Sequence, residues 1–151
     1  MSDSRLLRSV QRLASALGRL ERQTASRAGV TVSQLRVLSC LDQASSAPGV
    51  RIGTLADDQG LAISTMTRNV ALLERRGWVR RESGEEDRRT VRVVLTEVGR
   101  QKALELQDTT LSRFQRAFRA FHPTDRVERA VALDRVAEAL ENNDGSVARK
   151  P

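Results

Sequence analysis

Apolar residues in this chain recur at helical spacing almost from end to end, and one short stretch breaks the rhythm. Leu6, Val10, Leu13, Leu17 and Leu20 step by four, three, four and three, a narrow seam of period about 3.5 that packs helix against helix. Leu104, Leu111, Phe114, Phe118 and Phe121 repeat that spacing, and all three phenylalanines lie on this stripe, which reads as core or interface. Val127, Ala130, Leu133, Ala137 and Leu140 form a further inward-facing stripe near the end. Between them, Val91, Val93 and Leu95 face one way and Thr90, Arg92 and Val94 the other, which is the period of a strand. The expected fold is mainly α with a small β-hairpin.

The breakers between these runs define the elements. Residues 5–28 read as one helix stopped at Gly29, with Arg5, Arg8, Arg12, Arg19 and Arg22 on its other faces. A basic helix lying on a membrane surface is the rival reading, disfavoured because the seam is narrow and matched downstream. Thr31-Val32-Ser33 opens a second helix with Ser33 as its N-cap and Leu35, Val37, Leu38 and Leu41 on its apolar face. Residues 44–49 form a loop, and 50–52 are short enough for a strand at most. Thr54–Gln59 is a short helix closed by Gly60, and the next helix runs from Ser64 to Arg76, closed by Gly77. This is the outline of a helix-turn-helix. Trp78–Glu82 and Thr90–Leu95 then flank a polar loop at 83–89 as a hairpin, in the position of the wing of a winged helix. Thr96 caps a helix from Glu97 to about Phe121, His122-Pro123 breaks it, Thr124 caps the last helix, and residues 143–151 are a polar tail.

Composition removes other classes. A chain of 151 residues is long enough for one domain with a real core, and 39% hydrophobic with 30% charged residues is a globular balance. No apolar run approaches the roughly 20 residues that span a bilayer, so no membrane partner is expected. Arginines interrupt the first twenty residues too often for a signal peptide, so that segment is expected to be structural and the protein cytoplasmic. Cys40 is the only cysteine and His122 the only histidine, which leaves no disulfide and no His/Cys metal site in one chain; no metal or cofactor is expected. With no tyrosine and no phosphate-cradling glycine loop either, no catalytic set is visible, and an enzyme is not expected. Cys40 reads as a packed core cysteine, and His122 as a cation suited to a helix C-terminus.

The charge is +7, from 26 Lys+Arg against 19 Asp+Glu, and only Lys102 and Lys150 are lysines. An arginine bias also follows from base composition alone, so charge does not choose between nucleic acid and anionic membrane. The helix from Ser64 carries more information. Met66, Val70 and Leu73 share one face, while Ser64, Thr65 and Arg68 lie on the far side with Asn69 at its edge. Arginine bonds guanine O6 and N7 bidentately and asparagine bonds adenine N6 and N7, so such a face suits the major groove. In the hairpin loop, Asp87 is placed to pair with a neighbouring arginine, Arg88 or Arg89, and direct it toward a minor groove.

The order and spacing of these segments resemble the MarR family of bacterial winged-helix regulators. The resemblance rests on Leu61-Ala62-Ile63-Ser64-Thr65-Met66-Thr67-Arg68, Leu73-Glu74-Arg75-Arg76-Gly77-Trp78-Val79, Arg81, Asp87-Arg88-Arg89 and Val94-Leu95-Thr96-Glu97-Val98-Gly99. It implies a homodimeric, sequence-specific transcriptional regulator, a repressor binding pseudo-palindromic double-stranded DNA. Release by a small aromatic or anionic effector is a property of many members, with no ligand-lining residues given by this chain. Carried over by position, it implies DNA contacts from Ser64, Thr65, Thr67, Arg68 and Asn69 in the reading helix, and from Asp87, Arg88 and Arg89 in the wing. It implies one domain over 1–151, with dimerisation helices at about 5–30 and 97–142 and a winged helix-turn-helix at about 33–96. Ala62 departs from the Ser or Thr often found at that cap, so the helix is expected to begin at Ser64. The alternative function is an architectural protein that binds DNA by charge, without sequence preference.

Overall fold

The computed structural model describes residues 2–44, 49–83, 91–119 and 121–147. The elements run α1 (Ser2–Ala28), α2 (Val32–Gln43), β1 (Val50–Arg51), α3 (Ile52–Asp58), α4 (Ile63–Arg75), β2 (Val79–Ser83), β3 (Val91–Leu95), α5 (Glu97–Phe118) and α6 (Pro123–Val147). The chain divides into two compact units, Met1–Leu111 and Ser112–Pro151.

Three helices of the first unit end in the same way. Past α1, α3 and α4, a glycine in the left-handed region (Gly29, Gly60 and Gly77) turns the chain. The following amide then bonds back to the helix: Val30 N to Ala25 O, Leu61 N to Ala56 O, and Trp78 N to Leu73 O, at 2.9–3.1 Å. This is the Schellman closure, which satisfies carbonyls the helix end would leave open. It makes the turn that follows each of these helices short and determinate.

The cap of α2 corrects the sequence expectation. Thr31, not Ser33, caps it: Thr31 Oγ1 accepts from Gln34 N at 3.2 Å, and Gln34 Oε1 accepts from Thr31 N at 3.1 Å. A capping box needs Gln or Glu three residues on, which Thr31 has in Gln34 and Ser33 lacks in Arg36. Ser33 is freed for another role. At α4 the helix begins at Ile63, one residue before the expected Ser64, with Ala62 as an extended N-cap that makes no side-chain bond.

The core of the first unit gathers Val37, Leu38 and Leu41 from α2, Leu55 from α3, Met66, Val70 and Leu73 from α4, Val79 from β2, Val93 from β3 and Leu106 from α5. The sheet has three antiparallel strands in the order β1-β3-β2, so β3 is central and the short strand β1 adds an edge the hairpin reading lacked. Val79 pairs with Leu95, and both point into the core, as does Val93. Val91, expected on the same face, is exposed beyond the core's edge.

Thr96 caps α5 as expected, and the structure gives the reason for the whole Leu95-Thr96-Glu97-Val98-Gly99 run. The Thr96 hydroxyl donates to Gly77 O at 2.6 Å and accepts from Gly99 N at 3.0 Å, while Thr96 N donates to Trp78 O at 3.0 Å. A Cβ on Gly99 would lie 1.7 Å from the Trp78 carbonyl oxygen. Only glycine lets the first turn of α5 rest on that peptide. The buried residues of α5 are Gly99, Ala103 and Leu106, beside the expected Leu104–Leu111 stripe rather than on it; Leu104 and Leu111 are exposed.

In the second unit, Phe114 and Phe118 stack at 5.7 Å and Phe121 follows at 6.2 Å, with the Arg129 guanidinium 4.5 Å over the Phe121 ring. Four expectations are corrected here. α5 stops at Phe118, so His122 is not at its end; His122 directly precedes α6, and its Nδ1 meets Thr124 Oγ1 at 2.9 Å. α6 begins at Pro123, where a missing N–H costs nothing, so Thr124 is inside the helix rather than its cap. α6 also runs through 143–147, five residues of the expected tail, because a polar stretch that needs no apolar cover can continue a helix. The stripe expected to point inward does not: Val127, Leu133 and Leu140 are 69%, 46% and 63% exposed.

Candidate nucleic-acid interface

α4 is held on its inner side and open on its outer side. Met66, Val70 and Leu73 are completely buried, one helical turn apart. Ser64, Thr65, Thr67 and Arg68 are exposed, as their positions on the opposite face require. Ala62 caps α4 only through its carbonyl, which accepts from Thr65 N at 2.9 Å and Met66 N at 3.1 Å, and it offers no side-chain cap at the positive end of the helix dipole, next to the Ser64 and Thr65 hydroxyls. Asn69 is placed differently. It is half-buried, and its Nδ2 donates to Ser33 Oγ of α2 at 2.9 Å.

The wing is tied to the same helix. On β2, Arg81 N donates to Glu74 Oε1 at 3.3 Å, and its guanidinium reaches both Glu74 Oε2 at 3.3 Å and Thr67 O at 3.2 Å. The hairpin and the outer face of α4 are thereby registered to one another. Ser83 pairs with Val91, so the connection between β2 and β3 is residues 84–90. Asp87, Arg88 and Arg89 fall in that connection, outside the described residues.

The far end of α4 is fastened by Arg76, which donates to Gly29 O at 2.6 Å, just past the end of α1. Arg76 also lies 5.1 Å from the Trp78 ring centroid, and Lys102 Nζ lies 5.9 Å from it. The sequence does not give the contacts that Ser33, Arg76 and Arg81 make here, because their partners lie 7 to 47 residues away. The residues nearest in sequence carry no sign of those contacts.

A cavity of about 190 Å³ lies against α1 and α5, lined by Thr24, Arg27, Ala28, Lys102, Glu105, Leu106 and Thr109. Thr24 is buried, and among the described residues its hydroxyl has no hydrogen-bond partner. Lys102 Nζ bonds Glu105 Oε2 at 2.9 Å. Cys40 is half-buried against the core, and burial first, then the Asp58 carboxylate, pushes its thiol above the ordinary range. Both effects disfavour the thiolate, in keeping with a packing role. Among the described residues no group of His, Cys, Asp and Glu is arranged to hold a metal, and no helix is long and apolar enough to cross a membrane.

A helix-turn-helix whose second helix turns a polar face outward, followed at once by a hairpin on a three-stranded sheet, is a winged helix-turn-helix. The MarR family model matches residues 30–91, the segment from the cap of α2 through the start of β3. The HTH-type transcriptional regulator YfiV of Bacillus subtilis is 27% identical over 113 residues, which is 75% of this chain and 69% of that protein. AbsC, a MarR family transcriptional regulator from Streptomyces coelicolor, is 25% identical, with a TM-score of 0.72 over 93% of this chain and 95% of its own. A MarR family transcriptional regulator from Silicibacter pomeroyi is 27% identical, with a TM-score of 0.68 over 84% of each chain. Over its winged helix-turn-helix the chain is thus similar to the MarR family, and the three relatives are each named as transcriptional regulators.

Proposed function

We propose that this protein is a transcriptional regulator of the MarR family, acting in the cytoplasm as a homodimeric repressor that binds a pseudo-palindromic operator. The observation that carries the reading is the two-sidedness of α4: three fully buried apolar side chains behind, and Ser64, Thr65, Thr67 and Arg68 exposed in front. Arg68 reads a guanine edge in the major groove. Ser64, Thr65 and Thr67 bond phosphates and base edges near the open helix N-terminus. In the wing, Arg88 and Arg89 approach the minor groove with Asp87 orienting one of them. The formal charge of +7 supplies the non-specific attraction on which this reading is superposed.

The dimer follows from exposed apolar side chains that a single chain leaves uncovered. Leu6 and Leu13 of α1, Leu111 and Phe118 of α5, and Val127, Val131, Leu133 and Leu140 of α6 all stand open. A second copy would cover them, burying about 2,000 Å² or more as obligate dimers do. Two reading helices one helical turn of DNA apart then explain a palindromic site.

Release by a small aromatic or anionic effector is the remaining part of the proposal. It is supported by the cavity against α1 and α5, where a buried hydroxyl has no partner among the described residues and Arg27 and Lys102 supply positive charge. A buried polar group left unpaired is costly, and an anion's oxygen would satisfy it. With benzoate as the probe, bound DNA should be released, and Thr24→Val should blunt that release.

The experiment that tests the main reading is a selection of bound fragments, followed by anisotropy titration of the selected site against random DNA at physiological salt. A regulator binds its own site roughly 10³ times or more tighter. Equal affinity for both would instead identify an architectural protein that binds by charge.

A further inference from the structure

Three side chains from three helices meet behind the reading face. Asn69 Nδ2, from the middle of α4, donates to Ser33 Oγ in the first turn of α2 at 2.9 Å. The Ser33 hydroxyl donates its own proton to Gln59 Oε1, at the end of α3, at 2.7 Å. Gln59 Nε2 turns back to the Ser33 carbonyl oxygen at 3.4 Å.

The directions are dictated by chemistry. A hydroxyl has one proton, and an amide nitrogen can only donate. Ser33 Oγ therefore accepts from Asn69 and has its single proton left for Gln59. With the Asn69 amide turned over, two carbonyl oxygens would compete for that proton. All three groups are partly buried, where such bonds are stronger than in water. Ser33 is available only because Thr31 caps α2 in its place.

We propose that Asn69 is a positioning residue: with Ser33 and Gln59 it clasps α4 to α2 and α3 and sets the height and rotation at which the outer face meets DNA. Asn69 does not read a base. The proposal rests on α4 being the reading helix, and the test separates the two claims. Rotating or lifting α4 moves every contact it makes, so losing the clasp weakens binding to all sequences by one factor. Losing a base reader removes discrimination at one position.

The test uses the full-length protein and the selected DNA site with each of its single-base variants. Asn69→Ala and Ser33→Ala should each weaken binding about tenfold on every variant. The double substitution should be no weaker than either alone. Ser33→Thr, which keeps the hydroxyl, should restore most of the affinity, which a general loss of stability would not explain. In the unsubstituted protein, the Asn69 side-chain amide resonances, identified by their loss in Asn69→Ala, should exchange slowly with water both free and on DNA. Ser33→Ala should accelerate that exchange. Arg68→Ala is the control for the reading helix: if it changes neither affinity nor base preference, α4 does not face the DNA, whatever Asn69 does. Loss of discrimination at one base pair in Asn69→Ala, additive losses in the double substitution, or an Asn69 amide that exchanges fast in the free protein would overturn the clasp.

Discussion

α4 and α6 carry apolar residues at similar helical intervals, yet their fates differ. Met66, Val70 and Leu73 on α4 are wholly buried, whereas Val127, Leu133 and Leu140 on α6 remain largely open. The chemistry of the two sets is alike. Periodicity reveals that a helix has a face to cover, but not which chain supplies the cover. For α4 the cover is local, from α2, α3 and the sheet. For α6 it is proposed to be a second copy, and that assignment gives the two faces opposite responses to substitution and to protein concentration.

The largest effect is expected in the closed region. Leu73→Ala leaves a cavity that α2 and β2 cannot fill, and should cost about 2–5 kcal/mol in denaturant unfolding. On the open face, Leu133→Glu places a charge where the second copy should sit. Its dissociation constant should rise about thirtyfold or more, corresponding to the roughly 2 kcal/mol of a hot-spot residue. Sedimentation over a concentration series reads this directly; no change would mean that α6 is covered by something else or by nothing. Arg68→Ala changes neither stability nor assembly, and should cost about 1–3 kcal/mol per half-site in discrimination at one base pair. An equal loss on all sequences would reassign Arg68 to a phosphate.

The smallest effect concerns the wing. Removing an acid near phosphates should tighten binding by electrostatics alone. If Asp87 orients Arg89, Asp87→Ala should instead weaken binding by a few tenths to about 1 kcal/mol. The loss should be greatest with A·T flanks, where the minor groove is narrow. Anisotropy with matched A·T and G·C flanks separates the two outcomes, and a double substitution with Arg89→Ala that adds the losses would show that the pair does not act as a unit.

How much of this was legible in the sequence depended on the range of the interaction. The glycine stops after α1, α3 and α4, the Thr96 cap and the buried face of α4 all follow from residues within one or two turns of each other, and all were readable. The cap of α2 is not legible from hydroxyls alone, because Thr31 and Ser33 compete there and the choice turns on Gln34. β1 was ambiguous because a two-residue strand exists only by pairing with β3, more than forty residues on. The inward face of α5 lies beside the Leu104–Leu111 stripe, because Gly99 and Ala103 are buried by virtue of being small, which a pattern of large side chains does not show. Of the candidate site, the exposed face of α4 was legible from angle alone. The engagement of Asn69 by Ser33 was not, since it joins residues 36 apart in sequence.

Everything proposed for the operator depends on two reading helices held at a fixed spacing, and therefore on the open faces of α1, α5 and α6 meeting a second copy. Light scattering at low micromolar concentration measures this without any assumption about DNA. The expected mass is twice the 16.8 kDa of the chain. A mass of 16.8 kDa that persists as concentration rises would contradict it, leaving those apolar faces uncovered and the palindromic site without a basis.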